Sequence, residues 1–170
     1  YKVTDSQGAQ NSNSFTITIT GTNDTPVATY TTTNNVNEDS TISGQLSATD
    51  DDNGDTLTFE LVGTAISGLT INSNGSFTFD ASHQDYQSLA HGATQDITVN
   101  YKATDSQGAF DTKSFTITIT GTNDTPVATY TTNRDVNEDS IIYGQLTATD
   151  AEGDTITYSL EGDAIPGLTL

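Results

Sequence analysis

The twelve residues GTNDTPVATYTT at 21–32 stand again, unchanged, at 121–132. With the same offset of 100 residues (121 − 21), YK-TDSQGA, SFTITIT, VNEDS and GQL-ATD also recur, and GLT recurs one residue short of it. A period of about 100 residues is too long for a solenoid repeat of 20–50 and matches a small domain that closes its own core. The spacing therefore predicts a tandem array. Of the 170 residues, 25–124 form one complete unit, 1–24 the C-terminal strands of a preceding unit, and 125–170 the N-terminal strands of a following one.

Alternation with period two dominates the complete unit. In 114–121, Phe115, Ile117 and Ile119 fall on one face and Thr116, Thr118 and Thr120 on the other. Such alternation marks a strand with one buried face. The same pattern predicts strands at 27–32, at 41–49 with Ile42, Leu46 and Ala48 inward, and at 56–62 with Leu57, Phe59 and Leu61 inward. Strands at 68–71 and 76–79 are joined through Ser73-Asn74-Gly75, a tight-turn signal. A seventh, at 96–104, turns Ile97, Val99, Tyr101 and Ala103 inward, and 83–91 carries the pattern of a helical turn with Tyr86 and Leu89 toward the core. Seven short strands at this spacing predict an all-β fold, a seven-stranded Greek-key β-sandwich of immunoglobulin type.

Four Lys and Arg stand against 23 Asp and Glu, a formal charge of −19. That balance argues against nucleic acid and anionic membranes, which need basic patches, and for cations. Cysteine is absent, so disulfides and thiol chemistry are excluded. No apolar run approaches the 18 residues of a spanning helix, so direct membrane insertion is not expected. His83 and His91 are the only histidines, both in a polar loop, and no nucleophile–His–acid order stands out. The chain does not read as an enzyme.

If successive strands run up and down, the acids sort onto two poles. Glu38 and Asp39 follow the first strand at the bottom, with Asp80 and Asp85 after the fifth. Asp50, Asp51, Asp52 and Asp55 follow the second strand at the top, with Asp105 after the sixth. Asn123-Asp124 leads into the next unit, so the bottom acids of one unit face Asp150, Glu152 and Asp154 of its successor. Carboxylates 4 Å apart repel by about 1 kcal/mol in water and about 4 kcal/mol at a partly buried site. A cluster of them needs a counter-ion, and Ca²⁺, which takes six to eight oxygens in irregular geometry, suits it better than Mg²⁺. For Asp39 and Asp51 a solvated surface position is expected.

The stretch SNGSFTFDASHQDYQSLAHGATQDITVNYKATDSQGA, followed by SFTITITGTNDTPVA and VNEDS-GQLTATD, resembles the VCBS repeat, a cadherin-like module of giant bacterial surface adhesins. The resemblance spans the complete unit and both flanking pieces. It implies extracellular display at the bacterial cell surface in long tandem arrays, type I secretion with an RTX-type C-terminus, and roles in cell adhesion and biofilm formation. Cadherins, which such modules resemble more distantly, hold calcium between successive domains. Carried onto this sequence, Glu38 takes the role of the Glu after the first strand, Asp80 and Asp85 that of the acids after the fifth, and Asn123 with Asp124 that of the linker. Asp150 and Glu152 match the Asp-x-Asp loop, with Asp154 assisting. At the preceding joint the set is Asn23, Asp24, Asp50, Asp52, Asp55 and Asp105. The linker lacks the longer acidic run of cadherins, and the loop DAEGD is one residue shorter than DDDNGD.

The expected function is a structural extender stiffened by Ca²⁺, whose partners are neighbouring repeats of the same chain or other copies of it. Two rival readings are a filament assembled head to tail through complementation of the incomplete terminal units, and a glycan-binding module. The glycan reading is weakened by the absence of Trp and of a tyrosine-rich loop. Host or surface glycans and proteins are expected to be met by other domains of a parent protein.

Overall fold

The computed structural model describes residues 1–132 and 134–170. Its elements are β1 (Lys2–Thr4), β2 (Gln10–Ser12), β3 (Val27–Ala28), β4 (Asn34–Asn37), β5 (Thr41–Gln45), β6 (Ala48–Thr49) and β7 (Thr58–Leu61). They continue with β8 (Leu69–Ile71), β9 (Ser76–Asp80), β10 (Thr94–Thr104), β11 (Phe110–Thr120), β12 (Val127–Ala128) and β13 (Ala148–Thr149). All regular structure among the described residues is β.

One face of the sandwich is the sheet β4-β11-β10-β7 and the other is β5-β9-β8, with the short pair β3-β6 beside them. The long hairpin β10–β11 pairs antiparallel over eleven residues and is the spine of the first sheet. On its other edge β4 runs parallel to β11, with Asn34 opposite Ile117 and Asn37 opposite Thr120. Inward residues from both sheets form one core that includes Val36, Leu46, Phe77, Phe79, Val99, Tyr101, Phe115, Ile117 and Ile119. Its aromatic centre packs edge to face: Tyr30 lies 5.2 Å from Phe115, centroid to centroid, and 5.8 Å from Phe77. Such offset contacts suit the ring quadrupoles better than parallel stacking.

The alternation of 96–104 and 114–120 is realised as read; both strands begin earlier than expected, at Thr94 and Phe110, and the second ends at Thr120, one residue short of 121. The first strand is different. Instead of one run over 27–32, β3 covers only Val27–Ala28 and pairs with β6 in a separate two-stranded ladder, while the next strand, β4, joins the four-stranded sheet, with Tyr30 between them. The Tyr101 hydroxyl accepts the Tyr30 N–H at 2.9 Å and donates to the Tyr30 carbonyl at 3.1 Å, so a side chain takes both bonds a ladder would have made. Likewise 41–49 divides into β5 and β6. The segment 83–91 holds successive turns rather than a helix, Tyr86 N–H bonding His83 O at 3.0 Å and Leu89 N–H bonding Tyr86 O at 3.2 Å. Tyr86 is nonetheless buried against Phe79 at 5.5 Å, so the inward reading of that residue holds.

The flanking pieces form less structure. Among the described residues, 1–24 hold only the hairpin β1–β2, and 125–170 only the two-residue ladder β12–β13. The sequence SFTITIT is a strand at 114–120 and irregular at 14–20. Phe115 is 2 % exposed, whereas Phe15 is 72 % exposed. Identical residues differ because a strand exists through the ladder beside it and the face beneath it, and at 14–20 the described residues supply neither.

Candidate functional site

The acids gather at two linkers. At the first, Asn23 and Asp24 lie against the loop 50–55 and the turn after β10. The Asn23 carboxamide donates to Asp105 Oδ2 at 2.9 Å, and the Asp24 backbone N–H donates to Asp52 Oδ2 at 2.7 Å. Asp105 is buried, and its Oδ1 accepts the N–H groups of Gln107 at 2.9 Å and Ala109 at 2.8 Å. The donation from Asn23, helped by these backbone amides, holds its carboxyl below the usual carboxylate range. Carboxylate oxygens of Asp50, Asp52 and Asp55 lie within 4.8 Å of one another. Asp52 N–H caps Asp50 Oδ1 at 2.8 Å, and the Ser106 hydroxyl donates to Asp55 Oδ1.

The second linker repeats part of this arrangement. Asp124 N–H donates to Glu152 Oε1 at 2.9 Å, the counterpart of the Asp24–Asp52 bond. In the shorter loop DAEGD, Glu152 occupies the position of Asp52, 28 residues after the linker acid in both copies (52 − 24 and 152 − 124). Asn123 donates to the Asp124 carbonyl at 2.8 Å, as Asn23 does to that of Asp24 at 2.9 Å. Asp154 N–H bonds Asp150 Oδ1 at 2.9 Å.

Glu38 approaches the second linker from the complete unit. It is 1 % exposed, and its Oε2 accepts the Thr122 N–H at 3.0 Å. Burial pushes its carboxyl above the usual 4.5; the Thr122 donation opposes this, and the charges of Asp124, Asp39 and Glu152 add to the rise. Asp39 holds a left-handed φ of 63°, and its counterpart Asp139 one of 62°. Asp tolerates that region better than most side chains. The turn it makes, closed by Ser40 N–H on Asn37 O at 3.2 Å, aims Glu38 at the linker. Asp39 is solvent-exposed, as is Asp51.

Four buried side-chain oxygens have no hydrogen-bond partner among the described residues: Asp50 Oδ2, Asp55 Oδ2, Glu38 Oε1 and Glu152 Oε2. Two belong to each linker. An orphaned buried acceptor costs about 1–3 kcal/mol, more when charged, so each pair suits a hard cation that takes oxygen ligands. The residues present fit such an ion.

Asp80 and Asp85 are engaged elsewhere. Asp80 Oδ1 accepts from Ser82 N at 3.0 Å, from Ser82 Oγ at 2.7 Å and from Thr41 Oγ1 at 3.4 Å. Asp85 accepts the Ser67 hydroxyl and stands 3.5 Å from His83 Nδ1. Neither is among the charges acting on Glu38. Sequence reading missed Ser106 and the Thr122 N–H. Both are donors whose role depends on a folded contact, and no residue pattern advertises a backbone N–H.

The sequence matches the bacterial cadherin-like domain family over residues 23–121. The chain belongs to that family. Like other cadherin-like domains it is an adhesion-type β-sandwich, of a family that is non-enzymatic and generally extracellular. No described helix is long and apolar enough to cross a membrane. No curated protein matches the chain significantly. Among solved structures it is similar to human CDH23 EC21-23, at 18 % identity and a TM-score of 0.45, over 75 % of this chain and 46 % of that one. It is similar to human protocadherin-24 EC1-2, at 20 % identity and 0.42, over 76 % and 61 %. A nucleoside hydrolase-related hypothetical protein from Saccharophagus degradans is similar at 20 % identity and 0.37, over 57 % and 26 %. The cadherin-like chain spans less than two thirds of each.

Proposed function

We propose that this cadherin-like chain is a structural extender of a large secreted bacterial adhesin, and that Ca²⁺ stiffens the seams between its repeats. The observation that carries the reading is the pair of orphaned buried carboxylate oxygens at each linker. At the second seam Glu38 comes from one unit and Glu152 from the next, so one ion bound by both would fix the two units to each other. Asn123, Asp124, Asp150 and Asp154 would complete or surround that shell. At the first seam Asp50, Asp52 and Asp55 would hold the ion, with Asp24, Asn23 and Asp105 framing it. Extracellular calcium modules bind at about 0.1–1 mM, and calcium at about 100 times the dissociation constant would add roughly 2.7 kcal/mol per site. Roles in cell adhesion and biofilm formation follow from the resemblance to the VCBS repeat of surface adhesins.

Calorimetric titration of the 170-residue chain with calcium, paired with small-angle scattering in calcium and in EDTA, tests the proposal. Binding with a longer, narrower distance distribution in calcium is expected. No heat and superimposable scattering curves would refute it.

A further inference from the structure

Two Asn-Gly pairs occur in the chain, Asn53–Gly54 and Asn74–Gly75. Asn-Gly is prone to spontaneous conversion because glycine leaves its own N–H unobstructed, and asparagine is among the thermolabile residues. The fold treats the two pairs in opposite ways. Asn74 Oδ1 accepts from Ser76 N at 3.0 Å and Ser76 Oγ at 2.8 Å. Gly75 N–H is spent on Asn72 O at 2.8 Å, and Gly75 is buried, with Gln45 Nε2 only 2.7 Å from where a Cβ would stand. Asn53 is exposed, and neither its carboxamide nor the Gly54 N–H bonds any described residue. Nothing lies within 4 Å of a Cβ built on Gly54, so the turn has room to rearrange.

We propose that Asn53 is a built-in deamidation site, protected neither by hydrogen bonding nor by packing. The Gly54 nitrogen, losing its proton, attacks Asn53 Cγ. A C–N bond forms, the side-chain amide leaves as ammonia, and a five-membered succinimide results. Water then opens either succinimide carbonyl, giving Asp or isoAsp at 53. No oxidant or further reactant is needed. The product adds a carboxylate to a loop that already carries Asp50, Asp51, Asp52 and Asp55. In the isoAsp form the main chain gains a methylene between Asp52 and Asp55. The consequence of that isoAsp form rests on the calcium reading above: its lengthened main chain displaces Asp52 and Asp55 from each other, and the first seam holds calcium less tightly. The second loop, DAEGD, contains no Asn-Gly pair, so this Asn-Gly conversion is confined to the first seam.

The test is peptide mapping by mass spectrometry of the 170-residue chain aged at mildly alkaline pH, folded and in denaturant, with isoaspartate labelling by methyltransferase. In the folded chain Asn53 should convert at least about tenfold faster than Asn74, the ratio that about 1.4 kcal/mol of barrier gives. In denaturant the gap should shrink to what the flanking residues alone impose, Asp on either side of Asn53–Gly54 and Ser on either side of Asn74–Gly75. Asn53→Gln should abolish the signal at 53. Equal folded rates, or faster conversion at Asn74, would overturn the proposal. Calcium titration of fresh and aged protein separates the two readings. Absence of binding by fresh protein sinks the calcium function and its loss on ageing but not the conversion at Asn53, and undiminished binding after full conversion sinks the claimed consequence.

Discussion

The Glu38 carboxylate accepts the backbone N–H of Thr122 at 3.0 Å, across 84 residues of sequence. One oxygen is thereby committed to the linker, while the other, Oε1, is buried with no partner among the described residues. This half-satisfied acid makes the ion-free seam a place of unfavourable charge.

Glu38→Gln should therefore act with opposite sign in the two metal states. Without calcium the amide keeps the Thr122 bond and sheds a buried charge facing Asp124 and Glu152, so the variant should gain of order 1 kcal/mol. With calcium it loses a ligand and should melt below the parent. Thermal melts of both proteins in EDTA and in calcium read the crossing; a same-sign shift in both buffers would contradict it.

Two carboxyls give opposite pH signatures. The raised carboxyl of Glu38 binds its proton more readily folded than unfolded. Its contribution is present below the usual 4.5 and is lost as pH rises through the folded value in metal-free buffer. Asp105, held below the usual 3.8, contributes above that value and loses its contribution as pH falls through the lower folded one. Asp105→Asn should flatten the acid limb of the stability curve, and Glu38→Gln the fall on the other side. Melting temperature against pH in EDTA measures both.

Tyr101→Phe should cost about 1 kcal/mol, because it strands the half-buried N–H and carbonyl of Tyr30 between β3 and β4. Urea unfolding measures it. A loss below a few tenths of a kcal/mol would mean that water replaces the hydroxyl.

Phe115→Ala should destabilise by about 3–5 kcal/mol, the usual range for emptying an aromatic core position. The same substitution at Phe15, in the same heptapeptide but largely exposed, should change the melting of this chain hardly at all. The pair isolates packing from local sequence.

That contrast also marks what a reader of the sequence can see. The alternation of Phe115, Ile117 and Ile119 announces a half-buried strand, and the 100-residue recurrence announces the domain. Neither says that 14–20, with the same letters, lacks the ladder that makes a strand. The Tyr101–Tyr30 bonds were invisible because they join residues 71 apart and substitute for a ladder that propensity would have drawn. At the seams, the placement of Glu38, Asp52, Asp124 and Glu152 follows from strand direction alone. The Ser82 and Ser67 hydroxyls that occupy Asp80 and Asp85 depend on loop paths without periodicity.

The parallel pairing of β4 with β11 carries a mechanical consequence. A pull along the array enters β4 at its Asn34 end and leaves β11 at its Thr120 end, and these are opposite ends of one four-residue ladder. The force therefore loads all its hydrogen bonds together, in shear, rather than peeling them off singly. Single-molecule stretching of the complete unit should record one abrupt rupture at high force, and a gradual low-force unzipping would speak against it.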